Sequence, residues 1–385
     1  MAASTPGLLL ITRNLPPLRG GMERLNAQMA NALAEDHHVT VMAPKGSRLD
    51  HTSLVRLVCC PWPGVAMFLV WAAIVGTFRA LTGKPRWILG GSGLVAPVVL
   101  LAGWLSGARR AVYLHGLDIV VDSRLYRALW LPAIRRMNRC LVNSRNTRKL
   151  AIMEGVDEKR ICIVFPGVAM PAPSDSRVSS SSRFRASHEL GDGPLILSVG
   201  RLTRRKGLAE FVEHAMPSLL AKRADIRLVV IGDEAPDALN ASGVGQRQRI
   251  MDAALRAGVD ESVHMLGPVS ESTLRAAFEA ASVHVFPGLD VSGDVEGFGM
   301  VAIEAAAHGV PTVAFAVGGI PDAVNDPRSG SLVMAGDYAG LVQRLLQRVE
   351  DKSSVAASCR EFAARFDWRI FDEALRSQFV PGSPE

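Results

Sequence analysis

Two carboxylates eight residues apart, Glu296 and Glu304, bracket the glycines Gly297 and Gly299 in the stretch DVEGFGMVAIEAAAHGVP, residues 294–311. Ala, Val, Ile and Met favour helix from about Met300 onward, and Gly309 with Pro311 ends it. Glu296 therefore falls in the loop before the helix, and Glu304 about one turn inside it. Glycines at such a junction leave backbone N–H groups open where the helix dipole favours negative charge. An anionic ligand that carries hydroxyls suits this stretch: amides for its oxygens, and an acid at each end to accept from its hydroxyls. The plainer reading is a loop-to-helix junction with a capping acid.

A second chemical stretch is GRLTRRKG, residues 200–207, directly after a strand-like run LILSV. The carboxyl edge of a parallel sheet is where ligands of such sheets bind, so Arg201 and Lys206 read as a fork and a point charge for a diphosphate. A basic surface turn is the alternative. Gly20 and Gly21 occupy a similar place after the first strand, where backbone amides can approach a phosphate. They lack the third glycine of the dinucleotide fingerprint, which weakens a nicotinamide-dependent reading. His115 closes another strand in HGLD, residues 115–118, and suits donation to a sugar oxygen or to charge on a leaving group. A bond to a neighbouring carbonyl is its structural alternative. Asp118 is a weaker candidate; His37, His38 and His264 read as structural. No cluster has metal spacing, and no G-x-S-x-G elbow is present.

The elements that must position these residues form two series. Strand 8–11, a glycine turn, helix 23–34 and strand 38–43 make a βαβ unit. Two apolar runs follow, residues 62–78 and 93–105, flanking a strand at 87–90. Both are interrupted by Pro or Gly and fall short of the roughly 20 apolar residues of a spanning helix, so they read as buried or interface-lying helices. Strand 111–115, an Arg-rich helix 126–138 with Trp130, and strands 139–143 and 160–165 complete the first series. Residues 170–194, rich in Pro, Ser, Asp and Arg, read as a linker. The second series has strands 195–199, 226–231, 263–266, 283–286 and 311–314. Its helices are 208–222, 247–257, 271–280 and 339–350, with a last helix over 361–379. The fold class is α/β: two doubly wound Rossmann-like domains facing an interdomain cleft. The boundaries read as 1–171, linker 172–192, 193–360, and a terminal helix 361–385 returning to the first domain.

Charge separates the halves. Residues 1–170 carry 21 basic and 9 acidic side chains, +12, whereas the remainder carries 22 and 28, −6. The basic, apolar first half suits an anionic membrane surface or lipid phosphate. Five cysteines without ligand spacing argue against a disulfide framework and for a reducing cytoplasm, and the N-terminal residues read as a buried strand rather than a signal peptide.

Four motifs in order, GGMERLN (20–26), LHGLD (114–118), SVGRLTRRKG (198–207) and EGFGMVAIE (296–304), with the trailing GVPTVAFAVGGIPDAV, resemble the retaining glycosyltransferases of family four, which have the GT-B fold. The DVEGFG form looks closest to phosphatidylinositol mannosyltransferases and envelope-polysaccharide enzymes. The resemblance implies that Arg201 and Lys206 hold the donor diphosphate, with Gly21 approaching the leaving phosphate. It places Glu304 on the nucleotide ribose, and Glu296 with the amides of Gly297, Phe298 and Gly299 on the donor sugar with His115 on its far side. The base would lie near Gly232 and the turn at Val269. It further implies a GDP- or UDP-linked hexose such as mannose as donor, no cofactor and no metal. The acceptor would be a lipid-linked sugar or an oligosaccharide, met on the inner face of the cytoplasmic membrane, with no nucleic acid partner. Two departures bear on sugar and acceptor: FPGVAMP (165–171) lacks an aspartate common in relatives, and Asp290 to Asp294 adds polar residues before Glu296. A nucleotide-sugar epimerase of the same fold and a non-catalytic nucleotide-sugar sensor are the alternatives in other classes.

Overall fold

The computed structural model describes residues 6–18, 20–49, 55–172, 177–234 and 245–380, with Arg177, Val178 and Lys352 described by backbone only. The chain divides into two compact units, residues 1–167 with 368–385, and residues 168–367.

The first unit is built on a seven-stranded, all-parallel sheet. Its strands are β1 (Gly7–Ile11), β2 (His38–Ala43), β3 (Val55–Cys59), β4 (Trp87–Gly90), β5 (Arg109–Leu114), β6 (Arg139–Val142) and β7 (Ile161–Ile163), in the order β3-β2-β1-β4-β5-β6-β7. The central strands are nearly continuous apolar runs, as burial on both faces requires. The order reverses between β1 and β4, so their carboxyl ends, Ile11 and Gly90, flank the switch point where a parallel sheet leaves a crevice. Helices Val65–Gly83, Ala96–Ser106 and Arg124–Arg135 pack against one another and help enclose the core on one face. Helix Gly21–Ala34 covers the other face together with helix Trp368–Ser377, whose Phe371 and Leu375 enter that core.

The second unit repeats the plan with six parallel strands: β8 (Leu195–Val199), β9 (Arg227–Ile231), β10 (Val263–Gly267), β11 (Val283–Phe286), β12 (Thr312–Phe315) and β13 (Gly330–Val333). Their order is β10-β9-β8-β11-β12-β13. Its switch point lies between β8 and β11, at Val199 and Phe286.

Several elements differ from the sequence expectation. The stretch read as linker contains helix Arg177–Ser187, docked on helix Glu271–Ala280, while residues 173–176 lie outside the described residues. Its Phe184 is buried in the core of the second unit, an anchor that the polar composition masked. The single helix expected over 208–222 is two, Leu208–His214 and Met216–Lys222; Pro217 in the first turn of the second removes an N–H and crowds the turn before it. The helix expected over 339–350 runs Tyr338–Ala364 from an Asp337 cap, and the terminal helix starts separately at Trp368. Strands β3 and β13 were missed because both are short edge strands with weak patterns. The first apolar run also differs: the helix continues past Phe78 to Gly83, and its 19 residues are long and apolar enough to cross a membrane.

Candidate functional site

In the second unit the chain leaves β8 through Gly200 and Arg201 and makes a short 3-10 turn, Arg204–Lys206. Gly207 ends that turn at φ +66°, and a Cβ there would lie 2.0 Å from the carbonyl oxygen of Pro287, so the turn closes on the loop after β11 only with glycine. The Arg205 carbonyl accepts from Leu289 N–H, which ties the two loops together. A small cavity at this switch point is lined by Ser198, Gly200, Arg201, Lys206, His284 and Phe286, among others.

Lys206 stands at the centre. Its Nζ donates to Glu296 Oε2 at 2.9 Å and lies 4.1 Å from the centre of the Phe286 ring. Arg205 bridges two acids, donating from Nε to Glu296 Oε2 at 3.3 Å and from Nη1 to Asp294 Oδ1 at 3.2 Å. The four side chains are 8–15% exposed, so this is a desolvated ion cluster and not a surface pair. Burial alone would raise the Glu296 carboxyl; Lys206 and Arg205 outweigh it and hold it at about 2. Burial, with Arg205 and Arg201 nearby, lowers the Lys206 ammonium against the pull of Glu296, while the two acids raise Arg205 despite its burial. His284, fully buried with Nδ1 on Thr312 Oγ1, is held neutral, its pKa lowered to about 3 by burial and then by Lys206.

The loop 294–299 leads from this cluster into helix Met300–Ala307, entered through Gly299 at φ +95°. Gly319 donates its N–H to the Glu296 carbonyl at 2.8 Å, and a Cβ on it would lie 2.0 Å from the Gly297 carbonyl oxygen. The loop is thus pinned from below by the trailing Gly-Gly pair. Glu304 sits buried one turn inside the helix, as its spacing implied. The Phe298 ring is 2% exposed and packs on Phe366, 5.7 Å between centroids, so its side chain belongs to the core, and the part assigned to the donor by the resemblance is its backbone amide. Val269 follows β10, half-buried against the apolar core. Gly232 follows β9, 2.9 Å from the Gly267 carbonyl through its own N–H.

In the first unit the switch point is lined differently. Gly20 and Gly21 open helix Gly21–Ala34, and Glu23 in its first turn accepts from Asn14 Nδ2 at 2.9 Å. Thr12, Asn14, Glu23, Asn26 and Ser92 are all buried near the ends of β1 and β4. The His115 ring turns onto this edge: Nε2 lies 2.9 Å from the Gly91 carbonyl, which can only accept, so Nε2 carries the hydrogen. That is the structural alternative weighed above, and it leaves Nδ1 as the ring's acceptor in the neutral form. Asp118 accepts from the His115 backbone N–H at 2.9 Å and fixes the turn.

The sequence reading joined Lys206 to Glu296 only through the resemblance, did not single out Arg205, and gave Asp294 only as the end of an inserted polar stretch. The signal was present: Arg205 precedes Lys206, and Asp294 precedes Glu296 by two in an extended stretch, where alternate residues face one way. Among the described residues no group of three His, Cys, Asp or Glu side chains is arranged to hold a metal ion.

Comparison with known proteins bears on the family and the fold. The model of glycosyltransferase family 4 matches residues 19–170, and that of glycosyl transferases group 1 matches residues 180–366. A GDP-mannose-dependent alpha-(1-6)-phosphatidylinositol monomannoside mannosyltransferase of Mycolicibacterium smegmatis is 27% identical over 375 residues, 91% of each chain. Two D-inositol 3-phosphate glycosyltransferases are 33% and 31% identical, from Catenulispora acidiphila and Mycobacteroides abscessus, across 60% and 72% of this chain. The chain spans only 53% and 62% of the length of those two relatives. Among solved structures, Anabaena HepE in complex with UDP and glucose superposes with TM-score 0.76 at 18% identity, covering 97% of this chain and 99% of that one. Sucrose-phosphate synthase from Thermosynechococcus elongatus gives 0.77 at 21%, covering 97% and 98%.

Proposed function

Because the chain belongs to the family-four glycosyltransferases, with the GT-B type of α/β fold, we propose that it transfers a hexose from a GDP- or UDP-linked donor to a lipid-linked or polysaccharide acceptor in envelope glycan synthesis, with retention and without a metal. The observation that carries this reading is the desolvated cluster of Lys206, Arg205 and Glu296 beside Arg201 at the switch point of the second sheet. An ammonium has three hydrogens, and Glu296 takes one of Lys206's. The others, with Arg201, meet the charge that develops on a departing diphosphate. Preorganised donors in a dry site are worth most where charge appears in the transition state. Glu296, held as a carboxylate, accepts from the donor sugar and stabilises its developing positive charge. The C1–O bond to the phosphate breaks, the acceptor oxygen bonds to C1 on the same face, and the acceptor proton passes to the departing phosphate oxygen. No covalent nucleophile is needed.

The test is incubation with GDP-mannose, UDP-glucose and a lipid extract, with the anomeric configuration of the product read by NMR. A product anomer opposite to the donor's defeats retention. Activity abolished by EDTA and restored by magnesium defeats metal independence.

Placement at the inner face of the cytoplasmic membrane is part of the same proposal. Its support is helix Val65–Gly83, which exposes Met67, Val70, Ile74, Phe78 and Leu81 at three- and four-residue spacing. Leu101 and Trp104 of the neighbouring helix are exposed as well, 42% and 74%. An apolar stripe of this size on a basic unit suits an anionic bilayer surface. Ile74→Glu with Phe78→Glu should abolish flotation with anionic vesicles while leaving donor binding intact; unchanged flotation removes this support.

A further inference from the structure

Asp294 is the acid that the glycosyltransferase reading leaves without a task. Its side chain is 8% exposed, and Oδ1 is taken by Arg205 Nη1 at 3.2 Å. Oδ2 is buried and has no hydrogen-bond partner. A buried acceptor left unpaired is costly, more so on a carboxylate in a low-dielectric surrounding, and such an atom calls for a partner supplied from elsewhere. The position is built rather than incidental. A bridge between Val291 and Asp294, turning through Gly293 at φ +73°, sets the loop. One guanidinium then holds Asp294 through Nη1 and Glu296 through Nε, so two carboxylates lie side by side on a single rigid fork. The partner that completes Asp294 must bring a hydrogen-bond donor to a site already furnished with cations, which describes a neutral hydroxyl better than another cation.

We propose that Asp294 is a further specificity-determining residue of the donor site, whose Oδ2 accepts a hydrogen bond from a hydroxyl of the donor's sugar ring, and that Arg205 is the positioning residue that holds it beside Glu296. The proposal rests on the glycosyltransferase reading. It adds that sugar choice is read by two acids on one arginine, and that the polar residues inserted before Glu296 supply the second.

Asp294→Asn keeps the volume and an oxygen for Arg205 while it removes the charge and puts an amide where Oδ2 stood. The experiment compares kcat/KM of wild type and Asp294→Asn for GDP-mannose or UDP-glucose, whichever the wild type uses, and for the 2-, 3-, 4- and 6-deoxy analogues of that donor. Calorimetry gives the Kd of the free nucleoside diphosphate. Asp294→Asn is expected to lower kcat/KM for the parent donor roughly ten- to a hundredfold and to leave the nucleoside diphosphate Kd within about twofold. One deoxy analogue that the wild type rejects by about tenfold or more should be rejected by less than about threefold in the variant. Arg205→Lys, which keeps the charge but not the fork, should relax discrimination against that same analogue, and it reads the proposal independently if Asp294→Asn does not fold. Full discrimination against every deoxy analogue in the variants overturns the proposal, as does an equal loss of nucleoside diphosphate affinity. A wild type that neither binds nor turns over any nucleotide-sugar overturns the glycosyltransferase reading first, and this inference with it.

Discussion

The two switch points share a plan and differ in how their polar groups are settled. At the end of β1 and β4 most side chains are neutral and only some are bonded within the unit: His115 on the Gly91 carbonyl and Asn14 on Glu23, while Asn26 Oδ1 and Ser92 Oγ are buried without a hydrogen-bond partner. At the end of β8 and β11 they are charged and packed into one network, with Arg205 and Lys206 against Asp294 and Glu296. The first edge offers separate hydrogen-bonding groups. The second offers a field. A parallel sheet supplies the crevice in both cases, but only the second has concentrated the charges that a polar transition state needs, and turnover should be far more sensitive there.

The largest effect should come from breaking that field. Lys206→Ala is expected to lower kcat about 10²–10³-fold with a cooperative melt retained, and Glu304→Ala to lose turnover as well; initial rates beside a thermal melt check both. Near wild-type rates in either variant would place that residue outside the site. A smaller effect concerns pH. Glu296 titrates at about 2 in the folded protein against an ordinary 4.5, because Lys206 and Arg205 outweigh its burial. A depressed carboxylate stabilises the fold above its unfolded value, so this contribution is complete above about 4.5 and disappears as the pH falls through 2. Urea unfolding of wild type and Glu296→Gln should show a gap of roughly 3 kcal/mol at neutral pH that closes across that window. A gap independent of pH would mean that the charge is not what the cluster holds. The smallest effect should be at His115. Its replacement by Phe removes one hydrogen bond, about 1 kcal/mol, and should lower turnover less than about tenfold. A hundredfold loss at unchanged melting temperature would put the ring on the reacting sugar and erase the contrast between the two edges.

Much of this was legible in the chain. The strands Leu195–Val199, Val283–Phe286 and Trp87–Gly90 follow from short apolar runs bounded by Gly, Pro or charge, because a strand buried on both faces leaves no other pattern. Edge strands such as Val55–Cys59 lack that signature, being half solvated. The helix at Arg177–Ser187 was hidden because one buried phenylalanine anchors an otherwise polar segment.

By itself the sequence determined two doubly wound series, the junction of Glu296 and Glu304 across a helix start, and the basic turn after β8, since these depend on local periodicity and on glycines at forced turns. Only the tertiary structure decided which charges meet. Arg205 and Lys206 reach Asp294 and Glu296 across about ninety residues of chain, and no local propensity encodes a contact made by packing two loops at one sheet edge. The same holds for His115, where a carbonyl 24 residues away claimed the ring nitrogen, and for Phe298, whose place in the core depends on Phe366.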